Sequence, residues 1–339
     1  MFRFVLVLLA ATTTWLSAAE PTQVMAYYYP WYIEGDWSRH SYAGTPQLGT
    51  YGTDKPATVA KHIDWMADHG IDGVFVSWWG TNDITCTHFE SGFLNATNLE
   101  RTTFAFLYEP LGLLDLEDGK KDSTADFAHP AVAEKFTADL KLLKRRYLDH
   151  PRYLRREGKP VLGIYLTRVF KNFTKAHLER VEAAIDTDLY IIADEVFFWD
   201  QSSPETARNN AKLFDAYTAY NMFENAKVKP GESALSYQSR EAFPIFRRWA
   251  KEAAFIPGIF PSYRDFRGHE PLSGTPADFA TLLDAAAAIA STGPGPGSDK
   301  APPMVLLTSF NEWWEGTTIE PAAEYGTAYL EVIRAFKKK

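Results

Sequence analysis

The chain has 339 residues, 46% hydrophobic and 23% charged, which excludes a largely disordered polymer and leaves room for one large α/β barrel or two small domains. Its formal charge of -8 argues against a nucleic-acid partner, since phosphate binding rests on clustered Lys and Arg and the two short basic runs, Lys144 to Arg146 and Lys337 to Lys339, read as solvated faces; a neutral ligand fits better. Aromatic residues make up 15%; most must fill a core, but their faces also suit the apolar faces of sugar rings.

The first residues read as an export signal. Arg3 supplies the positive charge, Phe4 to Ala11 an apolar run, and Ser17-Ala18-Ala19 a small-residue cleavage site before Glu20. The expected division is therefore a signal peptide over 1–19 and one domain over 20–339, exported to the periplasm or secreted. The leading run is too short to span a bilayer, and no later apolar stretch approaches 20 residues, so the mature chain is expected to be soluble and without a membrane partner. Cys86 is the only cysteine, which excludes an internal disulfide and a cysteine-rich zinc site.

From Val24 onward short β-rich runs alternate with longer helical patterns, the signature of a parallel sheet wrapped by helices. Eight strands are predicted: Val24 to Tyr29, Gly73 to Trp78, Thr103 to Tyr108, Pro160 to Leu166, Tyr190 to Val196, Phe214 to Tyr220, Phe255 to Phe260 and Met304 to Phe310. Between them lie amphipathic helices, such as the one whose apolar face is Val132, Phe136, Leu140, Leu143 and Tyr147. Thr275-Pro276 supplies a capping hydroxyl and a first-turn proline to another. Eight such units match a single (β/α)8 TIM barrel. An open doubly wound sheet is the alternative, weakened because no Gly-x-Gly-x-x-Gly turn follows the first strand. Gly293-Pro-Gly-Pro-Gly-Ser reads as a loop before the eighth strand, and the acidic segment from Asp115 to Asp126 as a wall of the substrate cleft.

In such a barrel the active site lies at the C-terminal strand ends. Polar and aromatic residues gather there: Tyr29-Pro30-Trp31-Tyr32, Trp78-Trp79-Gly80, Glu109-Pro110, Asp194-Glu195, Tyr220-Asn221, Tyr263-Arg264-Asp265, and Asn311 to Glu320. One of these alone is more often a packing residue, but convergence from seven strands points to a site. Carboxyls such as Glu109, Glu312 and Glu315 beside an aromatic pocket should have displaced pKa values, as glycosidic bond cleavage requires. No His-Glu-x-x-His, Gly-x-Ser-x-Gly or Walker-type loop is present, so no metal, serine nucleophile or nucleotide cofactor is expected.

At these residues the sequence resembles glycoside hydrolase family 99, the endo-α-1,2-mannosidases and endo-α-1,2-mannanases. The matching motifs are Tyr27-Tyr28-Tyr29-Pro30-Trp31-Tyr32, Gly49-Thr50-Tyr51 with Asp54, Val59 and His62, Gly70-Ile71-Asp72-Gly73 leading to Ser77-Trp78-Trp79, and Leu107-Tyr108-Glu109-Pro110. The most distinctive is Asn311-Glu312-Trp313-Trp314-Glu315-Gly316-Thr317 followed by Ile319-Glu320.

The resemblance implies a retaining endo-acting hydrolase of α-1,2-mannosidic linkages, with an α-mannan or glucosylated high-mannose glycan as partner, no cofactor, and a monomeric chain. It assigns Glu312 as the base toward the sugar 2-hydroxyl and Glu315 as the acid toward the leaving oxygen. Glu109, Tyr32, Trp78, Trp79, Tyr220, Tyr263, Asn311 and Trp314 would bind substrate. Trp314 departs from the His of the family's animal and many bacterial members. The alternative is a family-99-like barrel that binds or processes polysaccharide with a different hydrolytic activity or none.

Overall fold

Eight short apolar runs become eight parallel strands in a computed structural model that describes residues 21–114, 124–194, 197, 213–224, 227–290 and 301–339. The strands are β1 Gln23–Tyr28, β2 Gly73–Trp78, β3 Thr103–Tyr108, β4 Lys159–Ile164, β5 Tyr190–Asp194, β6 Ala216–Thr218, β7 Gly258–Ile259 and β8 Met304–Leu307. They pair in chain order, and the ring passes from last to first where Gln23 to Ala26 of β1 align with Met304 to Leu307 of β8. Between β6 and β7 the closure is thinner. It consists of the bridge between Tyr217 and Phe255, with Tyr217 donating to the Ala254 carbonyl at 3.0 Å and Ile256 donating to the Tyr217 carbonyl at 2.8 Å. Sequence reading made β6 and β7 longer than they are. A Cβ on Gly258 would stand 2.2 Å from the Ala219 carbonyl oxygen, so the two backbones pass too closely there for an ordinary ladder.

The fold is a (β/α)8 TIM barrel with its helices outside. Helix α1 (Pro56–Asp68) turns Val59, His62, Ile63, Trp65 and Met66 inward. A short helix α2 (Ile84–His88) follows β2. Helix α3 (Pro130–Leu143) buries the predicted face of Val132, Phe136, Leu140 and Leu143. Helix α4 is Lys175–Ile185, and α5 (Ala234–Tyr237) and α6 (Phe243–Trp249) follow β6. Helix α7 (Pro276–Ala290) starts as its sequence predicts: Thr275 Oγ1 accepts from the Asp278 N–H at 3.1 Å, and Asp278 Oδ2 accepts from the Thr275 N–H at 3.1 Å, a reciprocal cap. Helix α8 (Ala328–Phe336) completes the outer layer. Among the described residues no helix is long and apolar enough to cross a membrane. The export signal, Glu195, the Gly293 loop and most of the acidic segment after β3 lie outside the described residues.

Strand alternation decides which aromatic residues can reach the barrel mouth. On β1 Tyr27 faces the barrel interior against Phe75 and Tyr220, whereas Tyr28 faces His62 of α1. On β2 Ser77 reaches Glu109, and Trp78 turns to the outer layer beside Phe106 and Tyr108.

Candidate active site

Because all eight strands run the same way, their C-terminal ends open on one face, where there is a cavity of about 810 Å³. Its lining includes Tyr29, Trp31, Trp79, Glu109, Tyr165, Tyr220, Glu224, Arg267, Glu312, Trp314 and Glu315. The segment after β8 carries the last three of these acidic and aromatic groups, and it is held from several sides. Asn311 Oδ1 accepts from the Tyr29 N–H at 2.8 Å, and its Nδ2 donates to the Tyr29 carbonyl at 3.0 Å. The Tyr32 hydroxyl donates to the Asn311 carbonyl at 2.6 Å and accepts from the Trp313 N–H at 3.0 Å, bracketing Glu312 with one phenol. Ser309 Oγ accepts the Glu312 N–H at 2.7 Å. The turn out of the segment needs Gly316: its φ is +61, and a Cβ there would stand 2.7 Å from the Ala43 Cβ.

Within this frame Glu312 is 3% exposed, and its Oε1 accepts from the Trp314 N–H at 2.9 Å. Glu315 Oε1 accepts from Arg267 Nη2 at 3.0 Å, while its Oε2 is buried with no hydrogen-bond partner. Glu109 Oε1 accepts from Ser77 Oγ at 2.9 Å, and Ser77 Oγ accepts from the Trp79 indole N–H at 2.8 Å. The other Glu109 oxygen is also buried and unpartnered.

Burial dominates the electrostatics. It raises the Glu312 carboxyl well above the ordinary range, with the charge of Glu315 adding to the rise. Burial, and then the charge of Glu224, push Glu315 up to about 7 against the pull of Arg267. Glu109 is pushed up to about 8, again mainly by burial. With burial raising all three carboxyls and the charge of Glu315 adding to the rise at Glu312 and Glu109, near neutral pH the site keeps a proton to give and a carboxylate to receive one. Asp194 is pushed up to about 7 by burial, yet its oxygens accept from the Tyr220 N–H at 2.7 Å and the Leu166 N–H at 3.3 Å, a strand-end brace behind the wall.

Of the substrate-binding residues expected from sequence, Glu109, Trp79, Tyr220 and Trp314 line the cavity with Glu312 and Glu315. Tyr32, Trp78, Tyr263 and Asn311 are not among its lining residues. Trp78 is on the outward phase of β2, 1% exposed. Both ends of the Asn311 amide are spent on the Tyr29 backbone, and the Tyr32 hydroxyl is spent on the backbone around Glu312. Tyr263 stacks on Phe223 at 4.4 Å, and its hydroxyl donates to Asp265 Oδ2 at 2.6 Å.

Sequence reasoning missed Arg267, Glu224, Tyr165 and Phe266, which also line the cavity. The alternation of Asp265, Arg267 and His269 after β7 was the available signal. Arg267 Nε donates to Asp265 Oδ2 at 2.6 Å, and Nη2 contacts Glu224. Burial raises the Asp265 carboxyl, but Tyr263, His269 and Arg267 together hold it down to about 2. Glu224, Asp265 and His269 converge within 4.8 Å, a spacing a metal could use, but Arg267 already pairs with both carboxylates. Aromatic groups flank the acids: Trp31 stacks on Tyr29 at 4.5 Å and meets Trp79 edge-on at 6.3 Å, and Trp314 packs on His40 at 4.2 Å.

Residues 36–333 match glycosyl hydrolase family 99. The chain belongs to that family. This family-99 chain is accordingly a glycoside hydrolase, and its substrate is a glycan. Its fold resembles the family-99 endo-alpha-mannosidase of Bacteroides thetaiotaomicron at a TM-score of 0.64 and 20% identity, over 93% of this chain and 95% of that one. A glycoside hydrolase-like protein aligns at a TM-score of 0.66 and 20% identity, over 95% of each chain. An exo-beta-1,4-mannosidase from Opitutaceae bacterium strain TAV5 aligns at 0.53 and 15% identity, over 94% of this chain and 59% of that one. No curated protein matches the family-99 chain in sequence.

Proposed function

We propose that this glycoside hydrolase is a retaining, endo-acting enzyme that cleaves α-1,2-mannosidic linkages in mannan or glucosylated high-mannose glycans. The observation that carries the reading is the pair Glu312 and Glu315, two carboxyls on one cavity wall whose proton affinity burial raises, with the charge of Glu315 adding to the rise at Glu312. Glu312 draws the proton from the 2-hydroxyl of the reacting sugar, and that oxygen attacks the anomeric carbon. Glu315 protonates the departing glycosidic oxygen, and a 1,2-anhydro sugar remains. Glu315 then removes a proton from water, which opens the anhydro ring at the anomeric carbon while Glu312 returns its proton to O2. Two displacements at one carbon give retention, a substrate-assisted exception to the usual nucleophile-and-acid pair.

In the empty site Arg267 favours the charged form of Glu315, whereas leaving-group protonation needs the neutral form. An entering glycan that separates the two would move the shared proton onto Glu315. The Trp31–Trp79 group and Trp314 offer aromatic faces for sugar rings on either side of the cleaved bond. Residues 1–19 carry the export pattern, and we propose that the enzyme acts outside the cytoplasm, which N-terminal sequencing of the exported protein would check.

The test is to incubate the purified enzyme with α-mannan and with glucosylated high-mannose glycans, identify the fragments, and follow the anomeric configuration of the first product by proton NMR. Release of an oligosaccharide with retained configuration is expected. Release of single mannose units from chain ends, or inversion, would sink the reading.

A further inference from the structure

We infer that Glu320 and His62 are positioning residues for the reaction, forming a buried carboxylate–imidazole unit that orients Glu312 through Trp313. The inference rests on the proposed pairing of Glu312 and Glu315. Both side chains are completely buried, and His62 Nε2 lies 3.3 Å from Glu320 Oε1. None of the cavity-lining residues belongs to this unit.

The connection runs in short steps. Trp313 is 0% exposed, and its indole N–H, a donor with no acceptor of its own, donates to Glu320 Oε2 at 2.9 Å. The Tyr51 hydroxyl donates to the same oxygen at 2.7 Å. On its other side His62 Nδ1 lies 3.0 Å from the Tyr28 hydroxyl, while Nε2 and Glu320 Oε1 face each other as a close pair with no hydrogen bond between them. The chain Tyr28, His62, Glu320, Trp313 therefore ties β1 and α1 to the segment after β8.

The indole has one seat. A Cβ on Gly44 would come within 3.1 Å of the Trp313 ring, and the Ala43 N–H donates to the Trp313 carbonyl at 3.0 Å. That carbonyl belongs to the peptide whose N–H, on Trp314, donates to Glu312 Oε1 at 2.9 Å. Turning the indole turns this peptide and swings the Glu312 carboxylate. A buried charge is a poor device for stability, since apolar side chains of similar volume usually serve at least as well. Two hydrogen bonds converging on one buried carboxylate oxygen, from the Tyr51 hydroxyl and the Trp313 indole, are a good device for holding a single orientation.

The experiment measures kcat and KM on α-mannan for Glu320→Gln, Trp313→Phe and the double variant, with folding checked by thermal unfolding. Each single variant is expected to lose about 10- to 100-fold in kcat with KM within about two-fold, the effect of a small misplacement of a reacting group. The double variant should lose no more than the worse single one, because both break one chain. Independent losses that multiply, or full kcat in folded Trp313→Phe, overturn the inference; Trp313→Phe keeps an aromatic ring and decides the matter if Glu320→Gln does not fold. Glu312→Gln and Glu315→Gln run alongside. If these two stay active, the reading of the pair has failed; if they are inert while Trp313→Phe and Glu320→Gln are unimpaired, the positioning unit alone has failed.

Discussion

Two stretches of the cavity wall each supply two of its charged residues, and they are built on opposite plans. The segment from Ser309 to Glu320 is almost wholly buried, bonded to β1 and itself and facing His62 of α1, whereas the stretch from Asp265 to His269 lies at the rim, with Phe266 53% exposed. The first contributes Glu312 and Glu315 and leaves them little freedom. The second contributes Arg267, which reaches across to Glu315 on a long and largely solvated side chain. The contrast teaches a division of labour: the core determines where the carboxyls stand, and the rim determines how readily one of them holds its proton.

Substitutions can break or sharpen that division. The largest effect belongs to the buried segment: Glu315→Gln and Glu312→Gln should each lower glycan cleavage by about 10³-fold or more, measured as fragment release from α-mannan. Next comes its anchor. Asn311→Ala would leave the Tyr29 N–H and carbonyl without their partners, and should cost about 2–3 kcal/mol of stability in urea unfolding. The rim should behave differently. Arg267 pulls the Glu315 carboxyl down, so Arg267→Met should let it rise and move the alkaline limb of the kcat/KM profile upward by about 1 in pH, since Glu315 must be protonated to act as acid. A loss in Arg267→Met as large as that in Glu315→Gln would erase the distinction. The smallest effect is expected at the aromatic flank: Trp79→Ala should raise KM about 3- to 10-fold with kcat little changed, in steady-state kinetics on the same substrate.

Much of this architecture was legible in the residues. The eight β-rich runs were readable because apolar stretches bounded by turn residues leave few other choices, and all eight stand as strands. Lengths were less readable at β6 and β7, where a close backbone approach at Gly258, not side-chain pattern, ends the pairing. Around the site, strand ends revealed which segments converge but not which way each ring turns. Trp78 and Trp79 are neighbours, yet Trp78, on the outward phase of β2, faces the helix layer, and Trp79, just past the strand end, turns to the cavity with its indole N–H on Ser77. Asn311 and Tyr32 were expected to touch substrate because the motifs that resemble family 99 contain them. Their hydrogen bonds instead go to the backbone, which no local pattern announces. Arg267 escaped notice because the alternation of Asp265, Arg267 and His269 in a charged rim loop does not by itself show that the arginine reaches a carboxyl 48 residues further along the chain.

The side-chain amide of Asn311 joins residues 282 positions apart along the chain, and β1 finds one of its two neighbours only in β8. The strand that closes the ring therefore also delivers the proposed catalytic pair, since Glu312 and Glu315 stand on the segment that leaves it.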